Sequence, residues 1–218
     1  MKFIYLHGFA SGPGSQKARF LRERFAGRGV ELLVPDLAEG DFEHLTISRQ
    51  LGVVERTAAG EPCVLIGSSL GGYLAALYAA RHPEAERAVL YAPAFGFEAR
   101  LAALIGPEQM ERWRESGWRP FFNFASEKDV RLSYGLIEDA RKYEAFPDVR
   151  QPVLILHGTR DDHVPVSGSE EFISGRPNAR LVTLDTDHQM LDALDRLWEE
   201  TWGFVAGSTA AGSPPAQP

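Results

Sequence analysis

Five short apolar runs constrain the fold of this chain more than any other feature: KFIYL (2–6), VELLV (30–34), CVLIG (63–67), RAVLYA (87–92) and PVLILHG (152–158). They are close to continuous. A strand with one wet face alternates apolar and polar residues, whereas a strand covered on both faces does not need to. A sixth run, ARLVTL (179–184), is more alternating and is expected nearer a sheet edge. Helical patterns separate the runs. After Ser15, a capping residue, Ala18, Leu21 and Phe25 recur at helical spacing until GRG ends the segment. Small and apolar residues dominate from Leu70 to His82, where Pro83 stops the helix. Near the C-terminus, Met190, Leu191, Leu194, Leu197, Trp198 and Trp202 form an apolar stripe. Alternation of strand and helix specifies an α/β domain with a mainly parallel sheet and right-handed crossovers.

The 218 residues suit one domain, and 44% hydrophobic with 24% charged residues are the proportions of a soluble globular protein. A formal net charge of −7 with scattered basic residues argues against a nucleic-acid partner, which needs clustered Lys and Arg. The densest basic run, ARFLRER (18–24), reads as a solvated helix face. The single cysteine, Cys63, opens an apolar run and reads as a small buried hydrophobe; no intramolecular disulfide can form. MKFIYLHG has too short an apolar stretch for a signal-peptide core, and no run is long enough to span a membrane. The expectation is a cytoplasmic protein without a membrane or nucleic-acid partner.

Residues 1–205 are expected to form the domain. The low-complexity stretch 206–218 is expected to be a disordered tail. Within the domain, residues 95–148 separate two strands by more than one crossover helix requires. This insertion is rich in aromatics and is expected to be a small helical cap. Phe95, Phe97, Trp113 and Trp118 are its candidate substrate-binding residues.

The chemistry centres on LIGSSLGGY (65–73). Gly67-Ser68-Ser69-Leu70-Gly71 fits G-x-S-x-G at a strand-to-helix junction, which makes Ser69 the candidate nucleophile. Such a nucleophile sits on a sharp, strained turn, with glycines letting neighbouring elements pass closely. Ser68 would need glycine at Ile66. A serine hydroxyl requires a base and an orienting acid. HGTRDDHVP (157–165) offers Asp161, with Asp162 as runner-up, and TLDTDHQML (183–191) offers His188 just before the last helix. His163 precedes the last strand and is close in sequence to Asp161; His7 and His157 read as structural strand-end histidines. The backbone amides of Leu70, beside the nucleophile, and Phe9, in the loop after the first strand, are the candidate oxyanion donors. GFASGPGS lacks both common phosphate-loop patterns, and no zinc-type spacing is present among His157, Asp161, His163 and His188. No cofactor or metal is called for.

Together, LHGF, GSSLGG, HGTRDDHVP and DTDHQML resemble the α/β-hydrolase superfamily over roughly residues 2–205. YLHGFASGPGSQKA with LIGSSLGGY is similar to a compact bacterial branch, the YqiA-type esterases. The resemblance implies a truncated α/β-hydrolase fold of about six strands, with Ser69, Asp161 and His188 as nucleophile, acid and base. It implies a serine esterase for short to medium acyl esters. An acyl thioesterase is the alternative within the branch, and a non-catalytic binding protein on the same fold is the alternative outside it.

Overall fold

The computed structural model describes residues 1–209. Six strands form one sheet in the order β2-β1-β3-β4-β7-β8: β1 (Lys2–Leu6), β2 (Leu32–Leu33), β3 (Cys63–Ser68), β4 (Ala85–Tyr91), β7 (Val153–Gly158) and β8 (Ala179–Leu184). Every neighbouring pair in this sheet is parallel. The alternating sixth run, β8, lies at an edge. The second run shortens to two residues, also at an edge.

Strand periodicity explains the continuous apolar runs. Ile4, Leu6, Leu65, Leu90 and Ile155 point to one face and join a core covered by α2 (Ile47–Ala58) and α3 (Leu70–Arg81). Phe3, Tyr5, Val64, Ile66, Val89, Tyr91, Leu154 and Leu156 point to the other, covered by α1 (Gln16–Ala26) and α8 (Leu194–Thr209). Both faces are dry, so both parities must be apolar. α3 is buried on nearly every side, which accounts for its wealth of small residues.

The insertion differs from a purely helical cap. It holds α4 (Phe97–Ile105) and α5 (Pro107–Ser116), then an antiparallel hairpin of β5 (Trp118–Asn123) and β6 (Lys128–Ser133), then α6 (Gly135–Ala140). The hairpin turn is held by Asn123, whose Oδ1 accepts hydrogen bonds from the amides of Ala125 and Ser126, both at 3.0 Å. Pro120 is tolerated because a two-stranded ribbon consists only of edges. The last helix before β8 is α7 (Ser167–Ile173). At the C-terminus, α8 continues to Thr209, into the stretch expected to be a tail; residues 210–218 lie outside the described residues.

The chain winds outward from β1 to β2, then returns to place β3 on the other side of β1. Loops leaving the carboxyl ends of β1 and β3 therefore meet at a reversal of strand order, where open α/β sheets bind ligands.

Candidate active site

Ser69 occupies the turn between β3 and α3 with φ 55° and ψ −118°. A non-glycine residue there carries about 1–3 kcal/mol of backbone strain and persists only where its surroundings fix it. Its amide donates to the Tyr91 carbonyl at 2.8 Å, and its carbonyl accepts from Ala94 at 3.0 Å and Tyr73 at 3.1 Å. Neighbouring glycines are needed for close approach. A Cβ on Gly67 would overlap the Gly71 carbonyl, and one on Gly71 would overlap the Leu6 and His7 carbonyl oxygens. The elbow is thus pressed against the end of β1, and the flanking glycines follow from that contact.

His188 stands in the loop after β8. Its Nε2 lies 3.1 Å from Ser69 Oγ and its Nδ1 lies 2.6 Å from Asp161 Oδ2. A carboxylate only accepts, so Nδ1 carries the proton and Nε2 is left to accept from the serine hydroxyl. The Asp161 side chain is fully buried, and that of His188 is 19% exposed. Asp161 Oδ1 accepts from the amides of His163 at 3.0 Å and Val164 at 2.8 Å. Burial favours the neutral acid, but the facing histidines, His157 and His188, and the Val164 amide outweigh it. The carboxyl is held well below the usual range.

His157 is more than a strand-end residue. Fully buried on β7, it donates from Nε2 to the Val164 carbonyl at 2.7 Å, so its Nδ1 accepts from Ser169 at 2.7 Å. It packs beneath the acid loop, with Nε2 3.4 Å from Asp161 Oδ2. Gly158 lets that loop meet the His188 loop, since a Cβ there would overlap the Thr186 carbonyl. Asp187 Oδ1 caps the next turn by accepting from Gln189 at 2.9 Å and Met190 at 3.0 Å.

The other candidates fall elsewhere. Asp162 is exposed and pairs at 2.6 Å with His163. The His163 ring lies over that of His188, centroids 5.4 Å apart, and makes no hydrogen bond to Ser69. Asp161, Asp162 and His163 bring ligand-type atoms within 4.8 Å of one another, but Asp161 already spends both oxygens on the bonds above, and its two companions are exposed. His7 is buried between the Gly8 carbonyl and the Leu37 amide, and burial pushes its pKa down.

Gly8 brings the first loop against the elbow: a Cβ on it would stand 3.4 Å from Ser69 Cβ. Phe9 follows immediately. Among the described residues, the amides of Phe9 and Leu70 donate to no acceptor in the chain. The Phe9 ring is surrounded by Phe42 at 5.7 Å, Phe97 at 6.1 Å and Phe121 at 5.4 Å. Of the four aromatics expected to touch substrate, only Phe97 is in that cluster. Phe95 is 1% exposed, stacked on Phe172, and Trp113 is 1% exposed, its Nε1 donating to the Leu132 carbonyl. Trp113 packs within the cap, on Phe121 and Tyr134, whereas Phe95 packs on Tyr73 of α3 and Phe172 of α7 as well as on Phe146. Trp118 packs on His44 and under Arg131, apart from the Phe9 cluster. Phe121 belongs to the aromatic-rich insertion, whereas Phe42 has no sequence signal of its own, because the cluster draws on distant segments.

Several known proteins are similar to the chain. Palmitoyl-protein thioesterase ABHD10, mitochondrial, from Bos taurus is 26% identical over 211 residues, covering 88% of this chain and 68% of that protein. Its Mus musculus counterpart is 27% identical, covering 84% of this chain and 65% of that protein, so the chain spans about two thirds of these relatives' length. Among solved structures, alpha/beta hydrolase domain-containing protein 10 from mouse superposes with a TM-score of 0.79 at 23% identity, covering 95% of this chain and 90% of that one. Est1E from Butyrivibrio proteoclasticus gives 0.77 at 20% identity, covering 95% and 88%. The sequence also matches, over residues 2–201, the family described as "Uncharacterised protein family (UPF0227)". On that match the chain belongs to this family, and the superpositions give it the α/β-hydrolase fold.

Proposed function

We propose that this protein is a serine carboxylic-ester hydrolase working through an acyl-enzyme on Ser69. The observation that carries the reading is the continuous hydrogen-bonded chain Ser69–His188–Asp161, anchored at a strained elbow. His188 Nε2 takes the Ser69 proton as Oγ attacks the substrate carbonyl. The amides of Leu70 and Phe9 are the donors for the resulting oxyanion. Collapse expels the alcohol, which leaves with the proton from His188. Water then attacks the acyl-enzyme, giving its proton to His188, and the carboxylic acid departs with Ser69 restored. Asp161, ionised throughout, fixes the imidazole orientation and stabilises its cation. No step calls for a metal or cofactor.

The aromatic cluster around Phe9 supports an apolar acyl or aryl group beside the oxyanion donors, and short to medium acyl esters are the first reading. A second reading, acyl thioester hydrolysis, draws on the palmitoyl-protein thioesterases among the relatives. It uses the same acyl-enzyme and differs only in the leaving group. A small-molecule ester or thioester is thus the proposed partner. A reducing cytoplasmic setting accords with the lone, buried Cys63, whose thiol burial pushes up to about 11.

The test is a p-nitrophenyl ester series from acetate to palmitate, run beside acyl-CoA thioesters, on wild type and Ser69→Ala. Ester turnover lost in the variant supports the first reading, and a thioester preference supports the second. Absence of turnover on every acyl substrate would leave a non-catalytic binding protein, and turnover surviving in Ser69→Ala would assign the wrong nucleophile.

A further inference from the structure

Lys17 is in an unfavourable place on three counts. It is 8% exposed, it lies in the first turn of α1 where the helix dipole repels cations, and among the described residues it makes no ion pair. Its Nζ donates to Ser68 Oγ at 2.8 Å and stands 5.8 Å from the Tyr91 ring centroid. Ser68 is the last residue of β3, adjoining the strained Ser69. The same pocket holds the buried phenol of Tyr5, also on the α1 face of the sheet. Asp187 and Asp161, on the His188 and acid loops, act on Lys17 through their fields. A buried cation that breaks several local rules at once is expected where function requires it.

Resting on the hydrolase reading above, we infer that Lys17 is a positioning residue for the nucleophile elbow. Its grip on Ser68 from the α1 side holds β3 in the conformation that aims Ser69 at His188. It acts through Ser68 and does not touch the substrate. Alternation along β3 places Ser68 with Val64 and Ile66 on the face toward α1, which leaves Ser69 for the opposite task.

Lys17→Met keeps the length of the side chain and removes both the charge and the hydrogen bond. kcat on the preferred p-nitrophenyl ester is expected to fall by about 100-fold, the scale of a misplaced reacting group, with KM within about three-fold. The thermal midpoint at pH 7 is expected to stay level or rise, because a buried charge is gone. A merely structural lysine would lower the midpoint and leave kcat per folded molecule unchanged. Ser68→Ala removes the acceptor alone and should lower kcat in the same direction, with the double variant little worse than Lys17→Met.

The pH profile adds a separate readout. Burial pushes the Lys17 pKa down to about 8, against the raising influence of Asp187 and Asp161. Wild-type kcat should therefore decline above about pH 8, and that limb should be missing from Lys17→Met. The groups facing Lys17 are Ser68, Tyr5, Tyr91, Asp187 and Asp161; burial holds both phenols above their usual range, out of this window. Wild-type kcat in folded Lys17→Met or in Ser68→Ala would overturn the inference. If wild type reacts through Ser69 and both variants match it, the inference alone fails; if wild type neither turns over acyl substrates nor acylates at Ser69, the hydrolase reading fails and takes this with it.

Discussion

Gly71 and Phe122 mark the two extremes of constraint in this molecule. A single added carbon at Gly71 would overlap the carbonyl oxygens of Leu6 and His7, so one atom at the elbow decides whether the start of α3 can lie against the end of β1. Phe122, on the cap hairpin, is 49% exposed and packs edge-on against Phe124, itself 66% exposed. Backbone meets backbone at the elbow, with no slack to absorb a change. At the hairpin tip, side chains meet water. The elbow can therefore hold a strained Ser69 in place, and the hairpin is free to vary with whatever covers the site.

The largest test of that contrast is Gly71→Ala. Backbone cannot yield as a flexible side chain can, so a loss of about 3 kcal/mol or more, or failure to fold, is expected in urea titration. A loss under about 1 kcal/mol would show that the elbow has slack. Next comes Asp161→Asn, which keeps shape but removes the charge that orients His188. A fall of about 10⁴-fold in kcat is expected on the scale of comparable triads. The native carboxyl pKa is depressed, so its stabilising contribution is complete above the unfolded value near 4 and fades as pH falls through the folded value. The acid limb of the stability profile should accordingly flatten in Asp161→Asn.

Ser69→Gly separates strain from chemistry. Glycine adopts φ 55° freely, so stability should rise by about 1 kcal/mol while ester turnover disappears. An unchanged or lowered stability would mean that the elbow is not strained. At the low end, Phe122→Ser and Phe124→Ser should each shift stability by no more than about 0.5 kcal/mol in the same titration. A larger loss would place the hairpin tip in the folding core and blur the comparison.

The same contrast governs what the sequence reveals. Strand positions were legible to within about two residues because a doubly covered parallel sheet demands apolar residues at both parities, as in CVLIG and PVLILHG. The juxtaposition of Ser69, Asp161 and His188 was legible because each follows the carboxyl end of a strand of the parallel sheet. The hairpin was hidden by Pro120 and by KDVRLS, where only Val130 and Leu132 turn to the core and charged residues surround them. Phe95 and Trp113 look like pocket residues in one dimension because burial in a core and exposure in a pocket call for the same side chain. That Phe42 joins Phe97 and Phe121 of the insertion about Phe9 is a product of tertiary folding alone. Lys17 resembles any lysine on a helix surface until its hydrogen bond to Ser68 is seen.

The most direct test of the central claim, that His188 activates Ser69 as a nucleophile, is covalent capture. Wild type, Ser69→Ala and His188→Ala would be incubated with a fluorophosphonate and read by intact-mass and peptide mass spectrometry. The account predicts one adduct per chain on Ser69 of the wild type, none in Ser69→Ala, and labelling slowed by at least about 10³-fold in His188→Ala. An adduct on another residue, or equal labelling of wild type and His188→Ala, would contradict it.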